Sequence, residues 1–343
     1  MTDPLQLAPG VRRLRVDDHF MVLTETDASP MHVGALILLD VPGDDRAGLA
    51  FKLRRHLAQR LPATPLLVRL VQSPDGYDSD VWADLAEADM DWHVTEEDDN
   101  DLLAAVALRN MQRLDLTRPP FRLHVWPRHG ALYLKVHHSV ADGIGFQEVL
   151  RLLSDAVPPA EPRATAAALP DPATWQALSE ARFAAEEPAR LAQSAARKAA
   201  LAALEAFKGQ RAETPLLNMS GPTSPRRSYV PLSVPLAPFK AAARALGATV
   251  NDLFLACAGS ALRAYLLEIG DLPAAPLVVN SARSYRRAEH GPFGNRIAAL
   301  LGAHIVKVKP PTALIAQPEA KAAYAGTDYS ALKDRIAHVV QAT

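Results

Sequence analysis

The side chains whose types and spacing best suit chemistry are His137, His138 and Asp142, with Gly143 directly after. They fall in the run Leu132–Gly145, where an alternating strand pattern leads straight into the paired histidine. Alternation puts Leu132, Leu134 and Val136 on one face and Tyr133, Lys135 and His137 on the other. His138 therefore points away from His137, so one ring can be structural while its neighbour faces a cleft. A neutral imidazole, with a reference pKa of ~6.5, can accept a proton at about pH 7. Such a base can activate a hydroxyl or amine of a bound acceptor for direct attack on an acyl thioester. General-base assistance of this kind is worth ~10²–10⁴-fold in rate. The scheme needs no enzyme nucleophile, and the sequence offers none: there is no G-x-S-x-G elbow, and Ser260 in Ala-Gly-Ser-Ala-Leu does not make one.

Asp142 stands just before a helix expected to begin near Gly143. A carboxylate there caps the helix and favours its positive end. Gly143 and Gly145 are expected to remove side chains that would crowd the site. A metal centre built from His137, His138 and Asp142 is disfavoured. Adjacent ligands on opposite faces converge poorly, and no HExxH or Cys/His spacing supports one. Neither GxxxxGK[ST] nor GxGxxG is present. On the residues alone, a purely structural histidine pair remains the competing reading.

Several elements must position this run. Val11–Glu25 reads as a short polar helix or turn and Met31–Asp40 as a buried strand. Gly48–Gln59 has helical spacing, Leu66–Gln72 is the next strand, and Asp75-Gly76 marks a turn. Asn100–Leu114 returns to helix before Pro119-Pro120. Phe121–Trp126 and Ala131–His137 are strands joined near Arg128–Gly130. Gly143–Ser154 is a helix burying Phe146, Val149, Leu150 and Leu153. Ala156–Trp175, dense in Pro and Ala, reads as a linker or crossover. Gln176–Lys208 is a long Ala-rich helix in which Pro188 is a candidate break point. Pro215–Pro225 is a loop and Arg226–Val234 a strand candidate. Leu236–Leu246 is a helix closed by Gly247. Thr249–Leu267 is a helix that Thr249 or Asn251 can cap. Leu277–Ser281 is a short buried strand, and Asp328–Val340 reads as a final helix. This alternation predicts an α/β (α+β) fold with a mixed sheet in each of two lobes. The expected domains are residues 1–155, a linker and crossover helix over 156–210, and a second lobe over 211–343.

Composition bounds the function. Lys+Arg number 37 and Asp+Glu 38, for a net charge of −1, so no global basic field draws the chain to nucleic acid. The acidic stretch Asp84–Asp101 and the cluster Arg12, Arg13 and Arg15 read as solvated faces. The single cysteine, Cys257, excludes an intrachain disulfide and fits a reducing, cytoplasmic setting; its apolar neighbours predict a buried packing thiol. Met1–Gly10 lacks a signal-peptide pattern. No run of ~18 uninterrupted apolar residues occurs, so no transmembrane helix is expected, while contact with a membrane surface stays open.

The run His137-His138-Ser-Val-Ala-Asp142-Gly143 matches HHxxxDG, the motif of the superfamily that holds chloramphenicol acetyltransferase, nonribosomal peptide condensation domains and related acyltransferases. Other segments narrow the resemblance to the bacterial wax ester synthase/diacylglycerol acyltransferase family. Met31-His32-Val33-Gly34-Ala35 resembles its MHVG signature. Leu217-Asn218, Gly221-Pro222 and Arg226-Arg227 resemble its LN-GP-RR segment, Val250-Asn251-Asp252 its VND motif, and Gly294-Asn295-Arg296-Ile297 its GNR segment.

The resemblance implies two chloramphenicol acetyltransferase-like lobes and transfer of a fatty acyl group from acyl-CoA, as substrate, to diacylglycerol or a long-chain alcohol. It implies no cofactor. By the same resemblance His138 is the general base, His137 its support and Asp142 an orienting group, with Asn251 and Asp252 belonging to the second motif. Acyl-CoA and diacylglycerol or a fatty alcohol are the implied partners. Peripheral contact with the inner membrane face or with lipid inclusions is a further expectation. Two departures stand out. Pro119-Pro120-Phe121 takes the place of the family's Pro-Leu-Trp, and Gly302–Thr343 does not resemble the usual continuation, so a partial second lobe is expected. The alternatives are a condensation- or acetyltransferase-like enzyme with another alcohol or amine acceptor, and a non-catalytic remnant that binds acyl-CoA or lipid.

Overall fold

The computed structural model describes residues 6–306 except 41, 77, 209–216, 219, 222–223 and 275–276. The expected helix Asp328–Val340 lies outside the described residues, as does most of Gly302–Thr343. In chain order the elements are β1 (Gln6–Ala8), β2 (Val11–Arg13), α1 (Val16–Leu23), β3 (His32–Leu38), α2 (Leu49–Ala58), β4 (Val68–Val71), β5 (Val81–Asp84), α3 (Met90–His93), β6 (Val94–Glu96), α4 (Leu102–Met111), β7 (Phe121–Trp126), β8 (Ala131–His137), α5 (Gly143–Arg151), α6 (Pro172–Lys208), α7 (Leu236–Ala245), α8 (Val250–Glu268), β9 (Leu277–Ser284) and β10 (Ile297–Val306).

The chain divides into two compact units that interleave in sequence. The first comprises Met1–Ser194, Thr223–Val230 and Tyr285–Ile297; the second comprises Ala195–Pro222, Pro231–Ser284 and Ala298–Thr343. The first unit holds two four-stranded sheets, ordered β1-β2-β5-β4 and β3-β8-β7-β6. The latter is mixed, because β6 runs parallel to β7 while β7-β8 and β8-β3 are antiparallel. Strand β8 is buried along its whole length. Leu132, Leu134 and Val136 enter the main core with Leu123, Val125 and Phe146. Ala131 and Tyr133 enter a second cluster with Ala105 and Trp126. Both faces of β8 are therefore covered, which makes its C-terminal end a rigid place from which to project a side chain. In the second unit the described residues carry α7, α8 and the β9-β10 pair. Helices α7 and α8 pack through Phe239, Ala242, Ala243, Leu253 and Ala256.

Several expectations are corrected. Strand β3 is half-buried rather than buried. It is an edge strand, and Leu38 faces solvent while Val33, Ala35 and Ile37 pack on the core. Helix α6 begins at Pro172 and runs through Pro188 without a break. The alanine-rich turns on either side outweigh the missing hydrogen bond of one exposed proline. The crossover before it is not loose, since Arg163 donates to the carbonyls of Pro62, Thr64 and Leu67. Arg226–Val234 forms no strand. Its alternating apolar residues stay exposed, Val230 at 90% and Leu232 at 88%. Pro231 and Pro235 withhold the N–H groups that a ladder would use.

Charges expected on solvated faces are partly buried. Arg13 points inward from β2, a central strand of its sheet, and pairs with buried Asp78 at 2.7 Å. Asp78 also accepts from Arg182 at 2.6 Å and Ser179 at 2.5 Å of α6. Burial alone would raise the Asp78 carboxyl, but hydrogen bonds from Ser179, Arg13 and the Ser79 amide outweigh it and hold it at about 2. In the acidic stretch, Glu97 and Asp99 both contact Arg109.

Cys257 is exposed, because the face of α8 that meets α7 is narrow and centres on Leu253 and Ala256. Among the described residues, α8 is the one helix long and apolar enough to cross a membrane by length and composition, with mean hydropathy 1.2. Isolated polar residues such as Ser260 and Arg263 interrupt its apolar run without lowering that mean far.

Candidate functional site

The two histidines leave the end of β8 in opposite directions. His137, the last β8 residue, is fully buried and sits across from His32 in the ladder. Its Nδ1 accepts from the Ser139 N–H at 3.2 Å and lies 2.6 Å from Ser139 Oγ. Its Nε2 faces Glu25 Oε1 at 3.5 Å. Glu25 also accepts from the Met31 N–H and from Arg113 Nε, at 3.0 and 2.9 Å. Burial acts to raise the Glu25 carboxyl, but His137, the Met31 amide and Arg113 together hold it at about 2. Beyond it, His32 Nε2 and the Tyr133 hydroxyl share Asn110 Oδ1, at 3.0 and 2.5 Å. Gly34 is the glycine of the MHVG segment, and Tyr133 explains it. A Cβ there would lie 2.4 Å from the Tyr133 hydroxyl oxygen and 2.8 Å from its ring.

His138 is half-buried, and its N–H donates to the Met31 carbonyl at 2.8 Å. Its Nδ1 lies 2.8 Å from Asn295 Oδ1. Asn295 is fully buried. Its Nδ2 donates to Asp18 Oδ1 at 2.7 Å and to the His138 carbonyl at 2.6 Å, and its N–H donates to the same Asp18 oxygen at 2.8 Å. Burial raises the Asp18 carboxyl against the opposing effect of those Asn295 donors.

Asp142 lies almost wholly out of solvent and uses both oxygens. Oδ1 accepts from the Ile144 and Gly145 N–H groups, each at 3.1 Å, and so caps α5. Oδ2 accepts from Arg286 Nη2 at 2.8 Å and from the Arg296 N–H at 3.1 Å. Arg286 in turn donates to the carbonyls of Gly291, Phe293 and Gly294 at 2.5, 3.1 and 2.6 Å. The Gly294 N–H donates to the Val140 carbonyl at 3.0 Å, and Gly294 pairs in parallel with Ala141. At φ +74° Gly294 adopts a left-handed backbone conformation that suits glycine. The turn 291–296 is thus clamped onto the residues that follow the paired histidine.

Of the two glycines expected to clear the site, Gly145 does so. A Cβ on it would come within 3.0 Å of the Pro292 carbonyl oxygen and 3.1 Å of Ala141 Cβ. A Cβ on Gly143 would meet nothing within 4 Å.

Asn251 and Asp252 open α8 in the second unit. Thr249, rather than Asn251, caps that helix. Its hydroxyl accepts from the Asp252 N–H at 3.1 Å, while Asp252 Oδ2 accepts from the Thr249 N–H at 2.8 Å, a reciprocal capping box. Asp252 is buried and Asn251 exposed. Among the described residues no group of three or more His, Cys, Asp or Glu is arranged to hold a metal ion.

The structure therefore brings together His137, His138, Asp142 and Gly143 from one run. It adds Glu25, Asp18, Arg286 and Asn295, which reasoning from the sequence did not assign to the site. Asn295 carried a signal, since it stands in the GNR segment. Asp18 and Glu25 carried none beyond their polarity.

The wax ester synthase/diacylglycerol acyltransferase catalytic domain matches residues 14–254. A probable diacylglycerol O-acyltransferase of Mycobacterium tuberculosis is 31% identical over 310 residues, covering 83% of this chain and 67% of the relative. The chain spans 62% of the length of further mycobacterial relatives described as putative diacylglycerol O-acyltransferases. Two solved structures share the fold. The wax ester synthase/diacylglycerol acyltransferase of Marinobacter aquaeolei VT8 aligns with TM-score 0.52 and 24% identity, over 78% of this chain and 64% of that one. The first condensation domain of the CDA synthetase aligns with TM-score 0.54 and 16% identity, over 98% and 76%. The expected mixed α/β, chloramphenicol acetyltransferase-like fold class is thus the observed one. With more than half of its length matched by the catalytic domain, the chain belongs to the wax ester synthase/diacylglycerol acyltransferase family.

Proposed function

We propose that this chain moves a fatty acyl group from acyl-CoA to the hydroxyl of diacylglycerol or a long-chain alcohol, with His138 as the general base. The observation that carries the reading is the contrast between the two rings. His137 is fully buried and engaged by Ser139 and Glu25, whereas His138 is half-buried with its Nδ1 alone engaged by a side chain. In the proposed step, His138 Nε2 takes the proton of the acceptor hydroxyl as its oxygen attacks the thioester carbonyl. The tetrahedral intermediate collapses, the C–S bond breaks, and the departing CoA sulfur takes the proton back. No acyl-enzyme forms. His137 supports the strand end, Asp142 orients the turn that carries His138, and Gly143 opens the helix that Asp142 caps. Asn251 and Asp252 serve the second motif from α8. No cofactor enters the scheme. The low solubility of the acceptor favours a reaction at a membrane or lipid-inclusion surface.

The test is turnover of labelled palmitoyl-CoA with dioleoylglycerol or hexadecanol. His138→Ala should lower product formation by ~10²–10⁴-fold; full activity in that variant would remove His138 from the chemistry. Faster turnover with an amine would shift the acceptor class. Thermal stabilisation by acyl-CoA without turnover against any acceptor would make the chain a binding protein.

A further inference from the structure

We propose that Asn295 and Asp18 form a positioning pair that sets which nitrogen of His138 carries the proton and where the other one aims. The inference deepens the reading of His138 as a base and rests on it for its catalytic consequence.

The argument is one of hydrogen-bond accounting. A primary amide has two N–H donors and an oxygen that only accepts. Both donors of buried Asn295 are spent, one on Asp18 Oδ1 at 2.7 Å and one on the His138 carbonyl at 2.6 Å. The amide oxygen is left facing His138 Nδ1 at 2.8 Å. An oxygen in that place can only accept, so Nδ1 must carry the hydrogen and Nε2 must carry the lone pair. The opposite amide orientation would press its oxygen against two acceptors, the Asp18 carboxylate and the His138 carbonyl, while turning an N–H towards Nδ1. Asp18 also accepts from the Asn295 backbone N–H, at 2.8 Å, which fixes the residue at a second point. Asp18 thus excludes the flipped amide, and Asn295 excludes the wrong imidazole tautomer. The carboxylate acts through a neutral spacer. It orients the ring without adding a full negative charge against it.

Asn295 and Asp18 are both buried, and of the two Asn295 alone contacts the His138 ring, so both act through His138. The other charged groups bonded around this turn are Asp142 and Arg286, which are paired with each other at 2.8 Å. Glu25 lies on the His137 side and is paired with Arg113. Arg296 enters through its backbone N–H.

Nitrogen-15 imidazole NMR of the full chain, with the His138 signal assigned by His138→Gln, reads the tautomer directly and does not depend on any acyl transfer. The wild type should show the Nδ1–H form, and Asn295→Ala should move the ring towards a mixture. In acyl transfer with palmitoyl-CoA, kcat for Asn295→Ala should fall about 10²-fold with KM little changed, the order of loss seen when a reacting group is misplaced. Asp18→Asn keeps an acceptor for Asn295 and should retain most of kcat, while Asp18→Ala should not. An unchanged tautomer in Asn295→Ala, or a kcat for Asp18→Ala equal to wild type, would overturn the proposal. Absent turnover with a correct tautomer would overturn only the acyltransferase reading.

Discussion

Removing the Asp142 carboxylate separates architecture from chemistry. Asp142→Ala deletes four hydrogen bonds at once, two that cap α5 and two that hold the turn 291–296. Loss of an N-cap costs about 0.5–2 kcal/mol. Stripping a buried arginine of its carboxylate costs about 3–5 kcal/mol, because an uncompensated charge is left out of water. The side chains of Asp142 and Arg286 are only 1% and 7% exposed, so the full penalty applies in principle. Arg286 keeps three backbone carbonyls, which places it at the lower end of that range. The two losses share one side chain and do not simply add. A destabilisation of about 4 kcal/mol results, a large share of the ~5–15 kcal/mol typical of a folded protein. Asp142→Asn keeps an oxygen for the cap and should cost about half as much. Urea unfolding of the full chain at pH 7 measures both. Under conditions where the variants stay folded, Asp142→Asn should retain activity within about tenfold of wild type, well above the loss expected of His138→Ala. Two results would refute the reasoning: Asp142→Ala within about 1 kcal/mol of wild type, or Asp142→Asn as inactive as His138→Ala with its stability intact. The second would give Asp142 a part in proton transfer.

Other outcomes follow from particular contacts. Gly34→Ala must push Tyr133 off Asn110 and should cost about 1–3 kcal/mol by urea unfolding, whereas Gly143→Ala, with open space at its Cβ, should stay within about 0.5 kcal/mol. His32 and His93 are held at about 4 by burial, below the ordinary imidazole value of ~6.5. Lowered values mean that the unfolded chain binds these protons first, so the stability they supply is complete above pH 6.5 and is lost as pH falls towards 4. At pH 5 the loss should approach about 2 kcal/mol per histidine, visible as a falling thermal midpoint that His93→Asn reduces; a flat midpoint from pH 7 to 5 would contradict it. Asp78→Ala should free the start of α6 and leave Arg13 buried without its partner, costing about 3–5 kcal/mol and exposing amides near Ser179 to hydrogen exchange.

Strands β7 and β8 have the boundaries their alternation predicts, and α5 starts where a capping Asp before Gly143 says it should. These features are local. Side-chain period, cap chemistry and the opposite aim of consecutive strand residues are written within a few positions of one another. Other readings failed because the missing information was a partner. Arg226–Val234 has a strand's alternation but nothing to pair with among the described residues. Arg13 looked like surface charge until the register of β2 turned it onto Asp78. Cys257 sits among apolar neighbours in sequence yet outside the narrow stripe that α7 covers.

The site divides the same way. The sequence by itself determined that a base-capable histidine stands at a buried strand end, next to a capped helix and in a family-bearing motif. Only the tertiary structure decided what that histidine touches. Asn295 and Arg286 arrive from about 150 positions downstream to meet His138 and Asp142 within 3 Å, and Asp18 arrives from about 120 upstream to meet Asn295. Hydrogen bonds are satisfied in space rather than along the chain. A buried carboxylate or amide finds its partner only when the fold has closed off water as the alternative.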